Sequence, residues 1–111
     1  MKTWIILLFF PLCLTAQNFK SDISVVQFSA PFTKDSELSL KPFKDYNTHL
    51  FLISDKPKIF SEEKIIYLPT VILYYNNKEI IRIESDISLK LPENTKDTIQ
   101  QHIDEIIESK F

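Results

Sequence analysis

Tyr67-Leu68-Pro69-Thr70-Val71-Ile72-Leu73-Tyr74-Tyr75-Asn76-Asn77-Lys78-Glu79 is the stretch on which the fold turns. Thr70 to Tyr75 is β-branched, aliphatic and aromatic throughout, which reads as a strand. Lys78 to Glu84 reads as a second strand, and only Asn76-Asn77 lies between them. A two-residue hairpin turn needs the left-handed backbone region, and Asn tolerates that region better than most residues. The chain has no glycine, so its tight turns must use Asn, Asp, Ser and Pro. The same lack excludes the glycine-rich loops that cradle phosphates.

Upstream, Ile23 to Ala30 (Ile-Ser-Val-Val-Gln-Phe-Ser-Ala) predicts a central strand. His49 to Ser54 is a continuous apolar run, which fits a strand buried on both faces, as parallel strands usually are. Between these two strands, Ser36 to Asp45 is expected to hold a short helix with Leu38 and Leu40 or Phe43 inward, bent or ended by Pro42. Pro57 to Ile65 predicts another short helix. Downstream of the hairpin, Ser85 to Asn94 is a polar loop that carries Leu89 and Leu91. Ile99, Ile103, Ile106 and Ile107 then repeat at helical spacing, with Asn94 or Thr95 as cap and Asp97 in the first turn. The resulting order is β-α-β-α-β-β-α. A parallel crossover followed by an antiparallel hairpin and a closing helix makes a compact α/β sandwich with a mixed sheet.

The chain has 111 residues, enough for one domain. Its start reads as a secretory signal peptide over residues 1–16. Lys2 is cationic, Trp4 to Leu14 is almost wholly apolar, and Ala16 precedes the junction. The apolar run is short for a membrane span, which needs about 20 residues. Cys13 follows Phe10-Pro11-Leu12 and does not sit in a lipoprotein signal. The alternative is an uncleaved segment that tethers the domain to a membrane. Removing residues 1–16 from 111 leaves 95, residues 17–111, as the folded domain. Loss of Lys2 and Cys13 leaves 12 basic and 15 acidic residues, a net charge of −3 and no cysteine. Such a chain holds no disulfide and runs no thiol chemistry, because the thiolate is the nucleophile. Its mild acidity gives no reason to expect nucleic acid.

Two segments resemble thioredoxins. Val25-Val26-Gln27-Phe28-Ser29-Ala30-Pro31-Phe32-Thr33-Lys34-Asp35-Ser36 is similar to that family's strand and active-site run, with Thr33 and Ser36 at the places of the two cysteines. Tyr67 to Glu79 is similar to the family's apolar-Pro-Thr strand and hairpin, which implies a cis Pro69 facing the former active site. The resemblance covers roughly residues 22–108 and implies a thioredoxin-like fold. Small cysteine-less thioredoxin-like proteins of secreting bacteria are similar too, and no activity follows from that. Gln27 stands where thioredoxins often carry a buried acid, and an amide cannot take up that acid's proton. The span between the two segments is shorter than in the family, and little room exists for its additional N-terminal strand and helix.

These departures imply a redox-inactive domain that binds a protein or peptide partner, and the signal peptide implies its export to the periplasm or the outside of a bacterium. The expected surface is Phe32, Thr33, Lys34, Asp35, Ser36 and Pro69. Phe32 is the aromatic anchor, and Pro69 flanks a groove where an extended peptide pairs with the backbone. For Thr33 and Ser36 the simpler reading is N-capping of a helix. An enzyme using these hydroxyls is the alternative, but an alcohol nucleophile needs an adjacent base and nothing nearby supplies one. No catalytic residue, cofactor or metal is expected. His49 and His102, the two histidines, have no metal-ligand spacing and read as an edge-of-core and a solvent-facing residue.

Overall fold

The computed structural model describes residues 18–109. Expectations for the signal peptide, its cleavage and Cys13 lie outside the described residues. Four strands form one sheet: β1 (Ile23–Ser29), β2 (Asn47–Leu52), β3 (Thr70–Tyr75) and β4 (Lys78–Glu84). Their spatial order is β2-β1-β3-β4. β1 runs parallel to β2 and antiparallel to β3, and β3 runs antiparallel to β4. Two α-helices complete the layers, α1 (Pro57–Glu62) and α2 (Thr95–Ser109).

β1 is buried along its whole length, so the central position expected from its sequence is met. Successive side chains alternate between the two faces, and each face has its own core. Val25, Val71 and Leu73 pack with Phe43 and with Ile99, Ile103 and Ile106 of α2. Val26, Phe28, Ile72 and Tyr74 pack on the other face with Phe60 of α1. The spacing of three and four residues in α2 thus lays one isoleucine stripe on the sheet. At the hairpin tip, Asn76 and Asn77 take φ of 49° and 70°. Their N–H groups donate to Asp22 and Lys20 carbonyls at 3.0 and 2.8 Å, so the hairpin is strapped to the start of the domain.

That start is a short 3₁₀ turn, Asn18–Lys20. Phe19 meets Phe51 and Tyr74 edge-on at 5.2 and 5.9 Å between centroids. Lys20 pairs with Glu63 at 2.8 Å, and Glu63 also accepts the Tyr74 hydroxyl at 2.7 Å. Burial first, and then the bond to Glu63, push the Tyr74 phenol up, so it stays a neutral donor. One carboxylate therefore ties the first turn, α1 and β3 together.

Three expectations need correction. The β1–β2 crossover contains no α-helix. It is built from two 3₁₀ turns, Pro31–Ser36 and Lys41–Phe43. Pro42 removes a helix donor and restricts the residue before it. Gln27 takes both backbone groups of Leu38 for itself, at 2.8 and 2.7 Å, so they cannot serve a helix. Phe43 still reaches the core, and Leu38 and Leu40 pack beside it. The second correction concerns β2, which is an edge strand and not buried on both faces; Leu50 is 48% exposed. Without a helix in the crossover, one face of β2 is only partly covered.

α1 is shorter than expected because Lys64 enters the left-handed region, φ 56°, and the Ile65 N–H returns to the Phe60 carbonyl at 2.9 Å.

Candidate functional site

The parallel pairing of β1 with β2 and the antiparallel pairing of β1 with β3 bring several loops to one end of the sheet. The Pro31–Ser36 turn leaves β1 there. Phe28 is paired with Thr70, so Pro69 lies next to the last residues of β1. The Leu68–Pro69 peptide is cis, as the resemblance implies. Thr70 is also paired with Glu84, and the Ser85 N–H donates to the Pro69 carbonyl at 3.1 Å, so the Ser85–Asn94 loop departs from the same end.

The six expected surface residues divide into two groups. Phe32 is 71% exposed, Lys34 and Asp35 are exposed, and Ser36 is half-buried. Thr33 is only 2% exposed, and Pro69 is buried. Thr33 faces inward because its hydroxyl closes the turn: it accepts the Ala30 N–H at 3.1 Å and bonds the Ser29 hydroxyl at 2.9 Å. It therefore caps backward, at the third position of a turn that begins at Pro31, whereas Ser36 ends that turn. The Ser29 hydroxyl donates to the Glu37 carboxylate at 2.7 Å. Ser29 is fully buried, so this hydroxyl–carboxylate contact is internal scaffolding. Among the described residues, no acid, histidine or lysine hydrogen-bonds Thr33 or Ser36.

Gln27, at the acid's place, is buried with both ends of its amide paired to Leu38. It is a bracket that fastens the crossover to the sheet. On the outer side of that crossover, Asp35, Ser36 and Leu38 share a cavity of about 310 Å³ with Lys90, Leu91 and Pro92. Leu91 packs against the α2-side core, while Leu89 points outward at φ 65°. Asp86 organises this loop. Its carboxyl is held below the usual range, chiefly by the Ser88 hydroxyl and also by the Lys90 N–H.

Sequence reasoning missed part of the surface. Seven large apolar side chains are exposed among the described residues: Phe32, Leu50, Ile53, Ile66, Tyr67, Ile87 and Leu89. All but Leu50 belong to segments joined to this one end of the sheet. Ile66 and Ile87 are the most open, at 76% and 97%. The signal was present in Ile65-Ile66-Tyr67-Leu68, an apolar run longer than one buried approach to Pro69 needs.

The histidines lie elsewhere. His49 is half-buried on β2 and stacks on Phe51 with centroids 5.9 Å apart. Burial lowers its pKa. The His102 Nδ1–H donates to the Thr98 carbonyl at 2.8 Å, and its ring is half-buried, not solvent-facing as expected. Among the described residues no three His, Cys, Asp or Glu side chains gather as a metal site would require.

No protein-family model matches the sequence, and no curated protein matches it by sequence. Solved structures do match in shape. A designed protein superposes with a TM-score of 0.58 at 17% identity, over 77% of this chain and 80% of its own. A thioredoxin from Malassezia sympodialis gives 0.57 at 17%, over 78% and 81%. A mutant thioredoxin from Halobacterium salinarum NRC-1 gives 0.54 at 15%, over 79% and 80%. At these identities the likeness concerns the fold alone. The chain has a thioredoxin-like fold, an α/β sandwich with a mixed sheet, and its single cysteine leaves it without a Cys-x-x-Cys motif.

Proposed function

We propose that this protein is an exported, redox-inactive binding module that holds a protein partner at the end of the sheet where its fold relatives keep their active-site loop. The observation that carries this reading is that Phe32, Ile53, Ile66, Tyr67, Ile87 and Leu89 are all exposed on segments that join one end of the sheet. Scattered surface apolar residues need no explanation, but a concentration of them marks an interaction site. Phe32 and Tyr67 supply the aromatic anchors that dominate binding energy. Lys34 and Asp35 supply a charged rim. Thr33 and Pro69 support this surface from beneath.

Redox inactivity follows from chemistry. With the signal peptide removed the chain has no thiol, and Gln27 is committed to Leu38. An insulin-reduction assay on residues 17–111 without added thiol is expected to stay at background. Hydroxyl catalysis by Thr33 or Ser36 gains no support, since one is buried and neither has a base. Export is tested by mass spectrometry of the secreted chain. A first residue of Gln17 supports cleavage, and a chain that keeps Met1 and is recovered from the membrane fraction indicates a tether.

Binding is tested by capture from an envelope fraction with residues 17–111 as bait. A bait carrying Phe32→Ala and Ile66→Ala is expected to lose whatever the first retains, while circular dichroism stays unchanged. Equal retention by both baits would overturn this surface.

A further inference from the structure

The two edges of the sheet are built differently. β4 carries Lys78, Glu79, Arg82 and Glu84, and its pairing register with β3 is broken between Leu73 and Tyr74. Charges and bulges are the usual means of keeping an edge strand from pairing with another chain. β2 has neither. Asn47-Thr48-His49-Leu50-Phe51-Leu52 contains no acid, lysine, arginine or proline, and its register with β1 is unbroken. Its outer side meets no strand among the described residues. The Ile53 N–H donates inward to Ser29, so by strand alternation the N–H and C=O of Thr48 and Leu50 point away from β1.

Two cavities lie along this edge on one face, of about 470 and 260 Å³, and Leu50 and Glu37 line both. Thr48 lines the first and Leu52 the second, so the cavities follow the two-residue repeat of the strand. Their charged linings are Lys41 and Lys44 at the Thr48 end, Lys34 at the Leu52 end, and Glu37 between them. The Glu37 carboxylate already takes the Ser29 hydroxyl. That bond leaves Glu37 its charge, but three lysines against one carboxylate make the groove net positive, with the lysines at both ends and Leu50 in the middle. The opposite face of the strand presents His49 and Phe51, stacked on each other.

We propose that the outer edge of β2 binds an extended segment of another protein, which adds as a fifth strand and carries an acidic residue two positions to either side of a central aliphatic one. The central side chain lies beside Leu50, and the two carboxylates meet Lys41 and Lys44 at one end and Lys34 at the other. Uncharged residues between them lie over His49 and Phe51. Main-chain hydrogen bonds to Thr48 and Leu50 supply affinity, and the side-chain pattern supplies selectivity. The pattern reads alike in both directions, so parallel and antiparallel docking are both served. This site does not rest on the end-of-sheet surface; only Lys34 borders both.

The test uses the full-length sequence as expressed and purified, with a fluorescein-labelled peptide Ser-Glu-Val-Leu-Val-Glu-Ser as probe and its Lys-for-Glu counterpart as control. Anisotropy is expected to show saturable binding of the acidic probe at least about tenfold tighter than of the control. Leu50→Asp puts a like charge beside the probe's carboxylates on an already exposed position of the edge and should weaken the acidic probe by about tenfold or more. Lys41→Glu with Lys44→Glu, both exposed, should erase the preference for the acidic probe. Phe32→Ala with Ile66→Ala should leave it intact, which separates this site from the one above. Equal affinity for the two peptides, or no saturation by about 1 mM acidic probe, overturns the proposal. A dimer seen by light scattering and lost in Leu50→Asp also overturns it, by giving the edge to a second copy of this chain.

Discussion

Gln27 shows how one replaced residue can change what a position does. In the middle of a central strand, its amide has a donor and an acceptor, and the Leu38 backbone offers the matching pair at 2.8 and 2.7 Å. A carboxylate could not satisfy both. Gln27→Leu keeps the volume roughly but leaves two backbone groups unpaired, and each costs about 1–3 kcal/mol when buried. Denaturant unfolding of the variant should show a loss of about 2–6 kcal/mol. A loss below about 0.5 kcal/mol would mean that water replaces the bracket. His49 is the second instructive residue. Its folded pKa is lowered by burial, so the unfolded chain takes up the proton first as pH falls. Its destabilising effect is absent above about pH 6.5, the unfolded value, and grows as pH drops below that toward the lowered folded pKa. A His49→Phe variant should therefore lose less stability than the parent between about pH 7 and 5, as read by the unfolding midpoint. Parallel pH profiles would mean that the imidazole is solvated in the folded chain.

At the scale of elements, the hairpin and the closing helix were legible because local pattern and tertiary role agree. Thr70–Tyr75 and Lys78–Glu84 have the bounds read from sequence, and both turn asparagines adopt positive φ. An Ala has no side-chain means of easing that conformation. Asn77→Ala should cost about 1–2 kcal/mol, and Asn77→Gly should cost nothing or gain slightly. If both variants unfold at the parent's midpoint, the turn does not hold the hairpin. The crossover was not legible. Leu38, Leu40 and Phe43 face inward, but inward spacing alone does not make a helix. A long-range partner, Gln27, took the backbone instead. Nor could an apolar run distinguish a buried strand from an edge strand, because His49 to Leu52 is apolar either way. Only the strand order placed β2 outermost.

At the scale of the whole molecule, two cores on opposite faces of one sheet hold the chain together, with no thiol in residues 17–111. The thermal unfolding midpoint of that chain should be the same with and without a strong reductant, since no disulfide exists to be cut. A shift on reduction would contradict the cysteine-free sequence of residues 17–111. One carboxylate, Glu63, joins the first turn, α1 and β3, so the domain should unfold as a unit from its N-terminal turn onward.

The sequence by itself determined the order of the four strands, the hairpin, the closing helix, the buried central strand and the lack of a Cys-x-x-Cys pair. These are matters of residue type and near-neighbour spacing, which bind the backbone locally. Tertiary structure alone decided which site residues reach solvent. Thr33 and Ser36 are both small hydroxyls, yet one closes a turn inside the protein and the other lies at its rim. It also decided that Ile66, Ile87 and Phe32, far apart along the chain, are exposed at one end of the sheet. Register brings those segments together, and register is a property of paired strands, not of any single stretch of sequence.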